Sequence, residues 1–247
     1  GIDSKALLYI LLEIQKYHPF SFEIAHVDHG LRSESSEEAS IILEEAKRFQ
    51  IPCHVKKLPR LASANIEDQC RKFRYEFFEK VSTERHLPTV LTAHHADDIS
   101  ETTLKRVLEG AQLTNLKGIL PLSNRGNYQV ARPLYHLKKK DLYCWLEKKG
   151  LQGFEDPTNQ GKENLRARLR SEIIPDLESK FGKNVTKNLT TLSDASLKLE
   201  EYLDEKVQPY INQMHTGPWG CWLDVKELHP FELGHLFYVL SKEHQID

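Results

Sequence analysis

The chain has 247 residues, of which 39% are hydrophobic and 28% are charged, and its formal net charge at pH 7 is -2. This composition predicts one larger and one smaller folded domain, and the net charge excludes a uniformly basic nucleic-acid binder. The longest apolar run, Ala6 to Leu12, is too short to span a membrane. Since no secretory signal pattern is present either, we expect a cytoplasmic protein.

The cysteines have none of the common functional spacings. Cys53, Cys70, Cys144 and Cys221 lie far apart, and none of them belongs to a Cys-x-x-Cys pair. This spacing is typical neither of zinc ligands nor of a redox motif. We therefore expect reduced thiols, most of them buried.

Helices and strands alternate through the first half of the chain. Apolar periodicity predicts helices over residues 4–17, 35–49, 65–84 and 98–109, and strands over 20–27, 52–58 and 89–93. This alternation predicts right-handed crossovers and a parallel sheet that is covered on both faces. Ligands of such sheets bind at the carboxyl ends of the strands.

The pattern changes after Val130, where helices over 138–149, 165–181 and 184–207 follow one another with few strand candidates. We place a domain boundary near residues 131–137. The predicted fold class is α/β, a doubly wound parallel sheet in residues 1–134 with a second, smaller and mainly α domain in residues 135–247.

Polar side chains follow two of the predicted strands. His26, Asp28, His29 and Arg32 lie where the strand over 20–27 ends. Polar groups at the carboxyl end of a strand are costly to bury, which favours a role in ligand binding. A hydrogen-bonded loop that turns at Gly30 explains the same residues equally well.

The strand over 89–93 is followed by a similar group. Asp98 and Glu101 share one face of the first turn of the next helix, and His94 precedes them. Asp98-x-x-Glu101 also resembles a capping box, which is the stronger interpretation when this stretch is taken alone. The functional interpretation gains weight because Asp3 and the residues around Asp28 would lie at the same edge of the sheet.

Paired carboxylates at such an edge have two plausible roles. They can hold Mg²⁺ against a polyphosphate, or they can bind an ammonium group and help to remove its proton. Arg71 and Arg74, three residues apart on one helix, are candidates to bind phosphate oxygens. An exposed helix surface is the alternative explanation for both arginines.

The sequence contains, in this order, GIDS from Gly1, HVDHGLR from His26 and AHHADDISET from Ala93. These three stretches resemble the tRNA(Ile)-lysidine synthetases of the PP-loop ATP pyrophosphatase superfamily. In that family a strand leads into Ser-Gly-Gly-x-Asp-Ser, whose backbone amides hold the ATP phosphates. Gly1 to Ser4 matches the last four positions, and the strand and the preceding Ser-Gly are missing from this sequence. The resemblance extends over roughly residues 1–180 through four further stretches, EDQCRKFRYEFF, ARPL, FEDPTNQ and RARLRSEIIPDLE.

Two positions depart from the family pattern. Glu109-Gly110-Ala111-Gln112 stands where the family usually has Arg-Gly-Ser/Thr-Gly, and Ala167 stands where it usually has Asn. These departures concern tRNA contacts and loop motion rather than the nucleotide chemistry.

The resemblance implies an adenine nucleotide alpha hydrolase-like domain and a ligase that uses ATP and Mg²⁺. ATP adenylates the C2 oxygen of the wobble cytidine of an isoleucine tRNA with a CAU anticodon, releasing pyrophosphate, and free lysine then displaces AMP to form lysidine. Acidic and imidazole groups are expected to converge at one rim beside a triphosphate pocket, with Asp3, Asp28 and Asp98 among them.

The resemblance also assigns residues to roles. The expected catalytic residues are Asp28, His94, Asp98, Glu101 and Arg74, and the expected Mg²⁺ ligands are Asp3 and Asp98. The expected ATP contacts are Gly1, Asp3, Ser4, His26, Asp28 and Arg71. The expected tRNA contacts are Arg132, Lys138, Lys139, Lys140, Asn159, Arg166, Arg168 and Arg170.

Other functions remain open from the residues alone. A metal-dependent phosphohydrolase would use the same histidines and aspartates, and a non-catalytic adenine-nucleotide binding module would keep the phosphate loop. A tRNA thiolase of the same superfamily would need paired cysteines, and the cysteines here are not suitably spaced.

Overall fold

The computed structural model of the chain describes residues 1–28, 35–58, 66–151 and 165–244. Within these ranges the chain forms two compact units, the first from residues 1–95 and 120–151 and the second from residues 96–119 and 165–244. The predicted boundary between residues 134 and 135 falls inside the first unit. The division into an ATP-binding and a tRNA-binding domain stays a prediction.

The helices and strands predicted for the first half all form, with ends that differ by a few residues. In chain order the elements are α1 (Ile2–Gln15), β1 (Ile24–Asp28), α2 (Ser35–Arg48), β2 (Cys53–Lys57), α3 (Ile66–Arg85), β3 (Thr89–Leu91), α4 (Ala96–Leu108), β4 (Leu122–Arg125), β5 (Tyr128–Ala131), α5 (Lys139–Lys148), α6 (Leu165–Arg168), α7 (Ile174–Phe181), α8 (Val185–Asn212), β6 (His215–Gly217), β7 (Gly220–Trp222) and α9 (Pro230–His244). A 3-10 helix covers Leu113–Lys117, and a π-helical turn, Leu169–Ile173, joins α6 to α7.

The first unit contains two sets of paired strands. β1 and β2 are parallel, with Ile24 opposite Cys53, and β3 and β5 are parallel, with Val90 opposite Val130. These parallel pairs confirm the predicted α/β class. The hairpin of β4 and β5 was not predicted, because its four-residue strands carry polar residues at several positions and its antiparallel pairing has no counterpart in a crossover pattern.

The core of the first unit has two main apolar clusters. In one, Ile2, Ala6 and Leu7 of α1 pack with Leu134 and with Leu142 and Leu146 of α5. In the other, Val27 of β1 packs with Leu58, Cys70, Phe77 and Val81. The first cluster joins α1 to α5, and the second holds α3 against β1. Together they fix the start of α1 and the end of β1.

The second unit is mainly helical, as predicted for the chain after residue 134. Leu104 of α4 packs with Leu169 and Ile174, so the π-helical turn lies against α4. The β6–β7 hairpin and α9 were not predicted. The hairpin strands are short, and α9 follows a Gly- and Pro-containing stretch that gives little periodicity.

The exposure of the cysteines and the length of the apolar helices can be compared with two expectations from the sequence. All four cysteines are free thiols. Cys70 is buried, Cys53 is half-buried, and Cys144 and Cys221 are exposed, so the expectation that most of them are buried was wrong. None of the helices in the described ranges is long and apolar enough to cross a membrane.

The contact between α1 and α5 can be tested through Leu146, which is 1% exposed. Leu146→Ala should lower the free energy of unfolding by about 2–5 kcal/mol, because it leaves a cavity in the cluster. Leu137→Ala removes an exposed side chain of the same unit and should change it by less than about 0.5 kcal/mol. Denaturant unfolding measures both, and an equal effect of the two substitutions would contradict the described packing.

Candidate functional site

The first turn of α1 provides a helix N-terminus that is open to its surroundings. Gly1 is the N-cap, and its carbonyl accepts a hydrogen bond from the Lys5 amide at 3.2 Å. A Cβ placed on Gly1 would meet no atom within 4 Å, and Ser4 is exposed. Backbone amides at such a helix start, together with the positive end of the helix dipole, favour a bound anion.

Asp3, in this first turn, lies between two basic side chains. Its Oδ1 is 3.6 Å from His95 Nε2, and its Oδ2 is 3.9 Å from Lys139 Nζ. His95 is fully buried directly before α4, and Lys139 is the first residue of α5. The sequence analysis did not assign His95 to the ligase site and assigned Lys139 to tRNA. The two adjacent histidines after β3 are the sequence signal that indicates His95 as a site residue. No sequence pattern pairs Lys139 with Asp3.

The end of β1 carries two predicted site residues. Asp28 is buried, and His26 Nε2 is buried with no hydrogen-bond partner among the described residues. Burial lowers the pKa of His26, whereas the charges of Asp28 and Glu38 oppose the shift. The predicted residues His29 and Arg32 lie outside the described residues.

The two arginines of α3 have different surroundings. Arg74 is half-buried, and its charge is one of the smaller causes that lower the pKa of His26. Arg71 lies over the ring of Tyr75 at 5.4 Å and lines a cavity of about 510 Å³ together with Lys72 and Arg125. The structure therefore separates the environments of two side chains that the sequence analysis treated as one phosphate-binding pair.

His94 and the carboxylates of α4 belong to different units. In the first unit, His94 Nδ1 and Thr92 Oγ1 are hydrogen-bonded at 2.9 Å, which fixes the orientation of the imidazole ring. In the second unit, Asp98 and Glu101 lie in the first turns of α4, as the sequence predicted.

Arg170 joins the two carboxylates of α4. Its Nε donates to Glu101 Oε1 at 2.6 Å, and its Nη2 donates to Glu101 Oε2 and to Asp98 Oδ1, both at 3.1 Å. Burial raises the pKa of Glu101, and the charge of Arg170 opposes that shift. Arg170 belongs to the π-helical turn, an irregularity that is frequent at functional sites and that periodicity cannot predict.

The basic residues predicted to contact tRNA are found in several environments. Arg132 is buried, and its Nη1 donates to the Leu120 carbonyl at 2.6 Å and to Ser123 Oγ at 3.2 Å, which does not favour a contact with tRNA. Lys140, Arg166 and Arg168 are exposed. Asn159 lies outside the described residues.

The carboxylates provide oxygen ligands of the type that Mg²⁺ takes, but they do not form a closed cage. Among the residues whose positions are described, no group of three His, Cys, Asp or Glu side chains is arranged to hold a metal ion. Mg²⁺ in nucleotide sites is usually held by one or two carboxylates together with substrate phosphates. Asp3, beside the helix start, fits that mode of binding.

Comparison with protein families and solved structures identifies the family and the fold of the chain. The PP-loop domain family matches residues 1–177. A solved U34-tRNA thiolase, NcsA from Methanococcus maripaludis with its 4Fe–4S cluster, superposes with a TM-score of 0.66 at 20% identity, covering 80% of this chain and 69% of that one. This similarity shows the fold.

Curated relatives are more similar in sequence. The tRNA(Ile)-lysidine synthase of Protochlamydia amoebophila is 36% identical over 242 residues, which are 97% of this chain and 53% of that protein. The tRNA(Ile)-lysidine synthase of Chlamydia caviae is 38% identical over 87% of this chain and 67% of its own length, and that of Chlamydia muridarum is 37% identical over 91% and 70%. The chain thus spans about half of the first relative and about two thirds of the others.

The environment of His26 predicts a pH dependence of stability. Its pKa is lowered by burial from an ordinary value of 6.5, so the folded protein binds a proton at His26 less readily than the unfolded chain. The stability that neutral His26 contributes is present above pH 6.5 and is lost as the pH falls through the lowered pKa. Relative to a His26→Gln variant, the wild type should lose free energy of unfolding below pH 6.5.

Denaturant unfolding between pH 5 and 8 measures this difference, and His18→Gln is the matched control because His18 is exposed. A difference between wild type and His26→Gln that does not change with pH would contradict the described burial of His26.

Proposed function

Since this chain belongs to the tRNA(Ile)-lysidine synthases of the PP-loop family, we propose that it joins free lysine to the wobble cytidine of an isoleucine tRNA at the expense of ATP. In the first step the C2 oxygen of the cytidine attacks the α-phosphorus, and pyrophosphate leaves. In the second step the ε-amine of lysine attacks C2, a proton is lost from the nitrogen, and AMP leaves with the C2 oxygen.

The observation that carries this proposal is the contact of Arg170 with Asp98 and Glu101. The guanidinium group bonds to both carboxylates at 2.6–3.1 Å, so the pair already binds a cationic side chain. A buried carboxylate such as Glu101 is costly without a cationic partner. The ε-ammonium group of lysine has the same charge and can take the place of the guanidinium group.

The second step also needs a proton acceptor, because free lysine has an ordinary pKa of ~10.4 and arrives as an ammonium ion. Burial raises the pKa of Glu101, which makes this carboxylate a better base than an exposed one. We assign Glu101 and Asp98 to binding and deprotonation of lysine. We also keep the prediction that Asp28 and His94 help to bind and deprotonate lysine in the second step.

The nucleotide phosphates are assigned to the start of α1. The backbone amides of Ile2 to Ser4 follow the N-cap Gly1, and a helix start of this kind favours a bound phosphate. We keep the predicted ATP contact of His26 and the predicted phosphate-binding role of Arg74. Bound Mg²⁺ would neutralise phosphate charge, and Asp3, in the first turn of α1, is its proposed ligand in this unit.

The tRNA is assigned to basic residues outside the phosphate site. Lys138, Lys140, Arg166 and Arg168 are the candidates, and the last three are exposed, as contacts with a phosphate backbone require. A flipped base is easier to obtain from an anticodon loop than from a duplex, which fits a wobble cytidine. An enzyme with this substrate would work in the cytoplasm.

Iron–sulfur chemistry of the kind named for the thiolase neighbour is not favoured. Cluster ligation needs grouped thiolates, and within the described ranges no three metal-ligating side chains come together.

The activity predicts a product that depends on three substrates. Full-length protein with ATP, Mg²⁺, radiolabelled lysine and an isoleucine tRNA carrying a CAU anticodon should release AMP and pyrophosphate and attach lysine to the tRNA. Glu101→Gln should lower the rate of lysine attachment by about 10²–10⁴-fold, because it removes the proposed base. Glu201→Gln, an exposed change on α8 of the same unit, is the matched control and should leave the rate unchanged.

Other products would identify the competing functions. Release of orthophosphate without tRNA would show a phosphohydrolase, and binding of ATP without turnover would show a nucleotide-binding module. Either result would contradict the proposed ligase.

A further inference from the structure

Lys139 lies in a different environment from its neighbouring lysines. Its Nζ is 3.9 Å from Asp3 Oδ2, and its side chain is 18% exposed. Lys140, the next residue, is exposed. Lys138 is the N-cap of α5, so Lys139 is the first lysine of the helix itself. Three consecutive lysines therefore do not form one continuous basic surface.

The core of the first unit holds Lys139 in this position. Leu142 and Leu146, three and seven residues farther along α5, pack with Ile2 of α1. The ring of Tyr143, one turn after Lys139, lies 5.8 Å from Lys139 Nζ. Because α5 is fixed against α1 by buried apolar side chains, its first residue is held beside the first turn of α1.

We propose that Lys139 is a phosphate-binding residue of the nucleotide site and not a tRNA contact. This inference rests on the proposed binding of ATP phosphates at the start of α1. Phosphate groups at that helix start would place their negative charge beside the Lys139 ammonium, which binds phosphate as a point charge.

His95 supports the other oxygen of the same carboxylate. Its Nε2 lies 3.6 Å from Asp3 Oδ1, and the ring is fully buried. His95 therefore stays beside Asp3 Oδ1 when the Lys139 ammonium turns to a phosphate. Lys139 thus links two sites of negative charge, the Asp3 carboxylate and the bound polyphosphate.

The test measures binding of ATP and of tRNA separately in the full-length protein. Lys139→Ala should weaken binding of ATP with Mg²⁺ about 10- to 100-fold, the range expected for loss of a charge-assisted contact. Its affinity for isoleucine tRNA should change by less than about twofold, and Lys139→Arg should retain most of the ATP affinity. Calorimetry measures the first affinity and filter binding the second.

Two matched variants separate the alternatives. Lys140→Ala changes the same charge at the adjacent exposed position, and Lys148→Ala changes it in the last turn of α5, where the side chain is exposed. Neither should weaken ATP binding. The inference is overturned if Lys139→Ala weakens tRNA binding and not ATP binding, or if it weakens ATP binding no more than Lys148→Ala does.

The binding measurements need no turnover, so the inference and the ligase reaction can fail independently. Loss of ATP affinity in Lys139→Ala but not in Lys139→Arg supports the inference even if no lysidine forms. If Lys139→Ala fails to fold, Lys139→Gln replaces it, because glutamine keeps most of the side-chain length but not the charge. Weakened ATP binding with unaltered tRNA affinity in Lys139→Gln then supports the inference, and the reverse pattern overturns it.

Discussion

The apolar contact between α1 and α5 is the constraint on which the proposed nucleotide site depends. Ile2 is buried directly after the N-cap of α1, and it packs with Leu142 and Leu146 of α5. This burial fixes the direction in which the first turn of α1 presents its amides. It also brings a lysine that is 136 positions away in sequence beside Asp3. The charged groups at this helix start are therefore placed by neighbouring apolar side chains.

A second constraint acts in the other unit, where Glu101 is buried on α4. A buried carboxylate must either be protonated or meet a cation, and Arg170 supplies that cation from the π-helical turn. The same helical segment buries Leu169 against Leu104 of α4, so packing positions the arginine. The carboxylate pair is thus a binding site for a positively charged group, which the proposed function assigns to the incoming lysine.

The sequence was sufficient to predict the elements that have a strong hydrophobic period and the positions of residues near their ends. α1, α3 and α4 form within a few residues of the predicted bounds, and Asp28 and Asp98 lie near the predicted element ends. Glu101 lies one turn farther into α4, because the helix begins at Ala96. The β4–β5 hairpin was missed because it has short, partly polar strands. Lys139 and Arg170 were predicted to contact tRNA because basic residues in a run look alike in sequence. The acidic neighbours that the structure gives them are set by tertiary packing, which the sequence does not show.

The most direct test of the proposed nucleotide site is a crystal structure of the full-length protein with Mg²⁺ and a non-hydrolysable ATP analogue. The triphosphate should lie at the first turn of α1, with a phosphate oxygen within hydrogen-bond distance of Lys139 Nζ. A triphosphate bound away from α1, with the Lys139 ammonium still beside Asp3, would contradict the assignment.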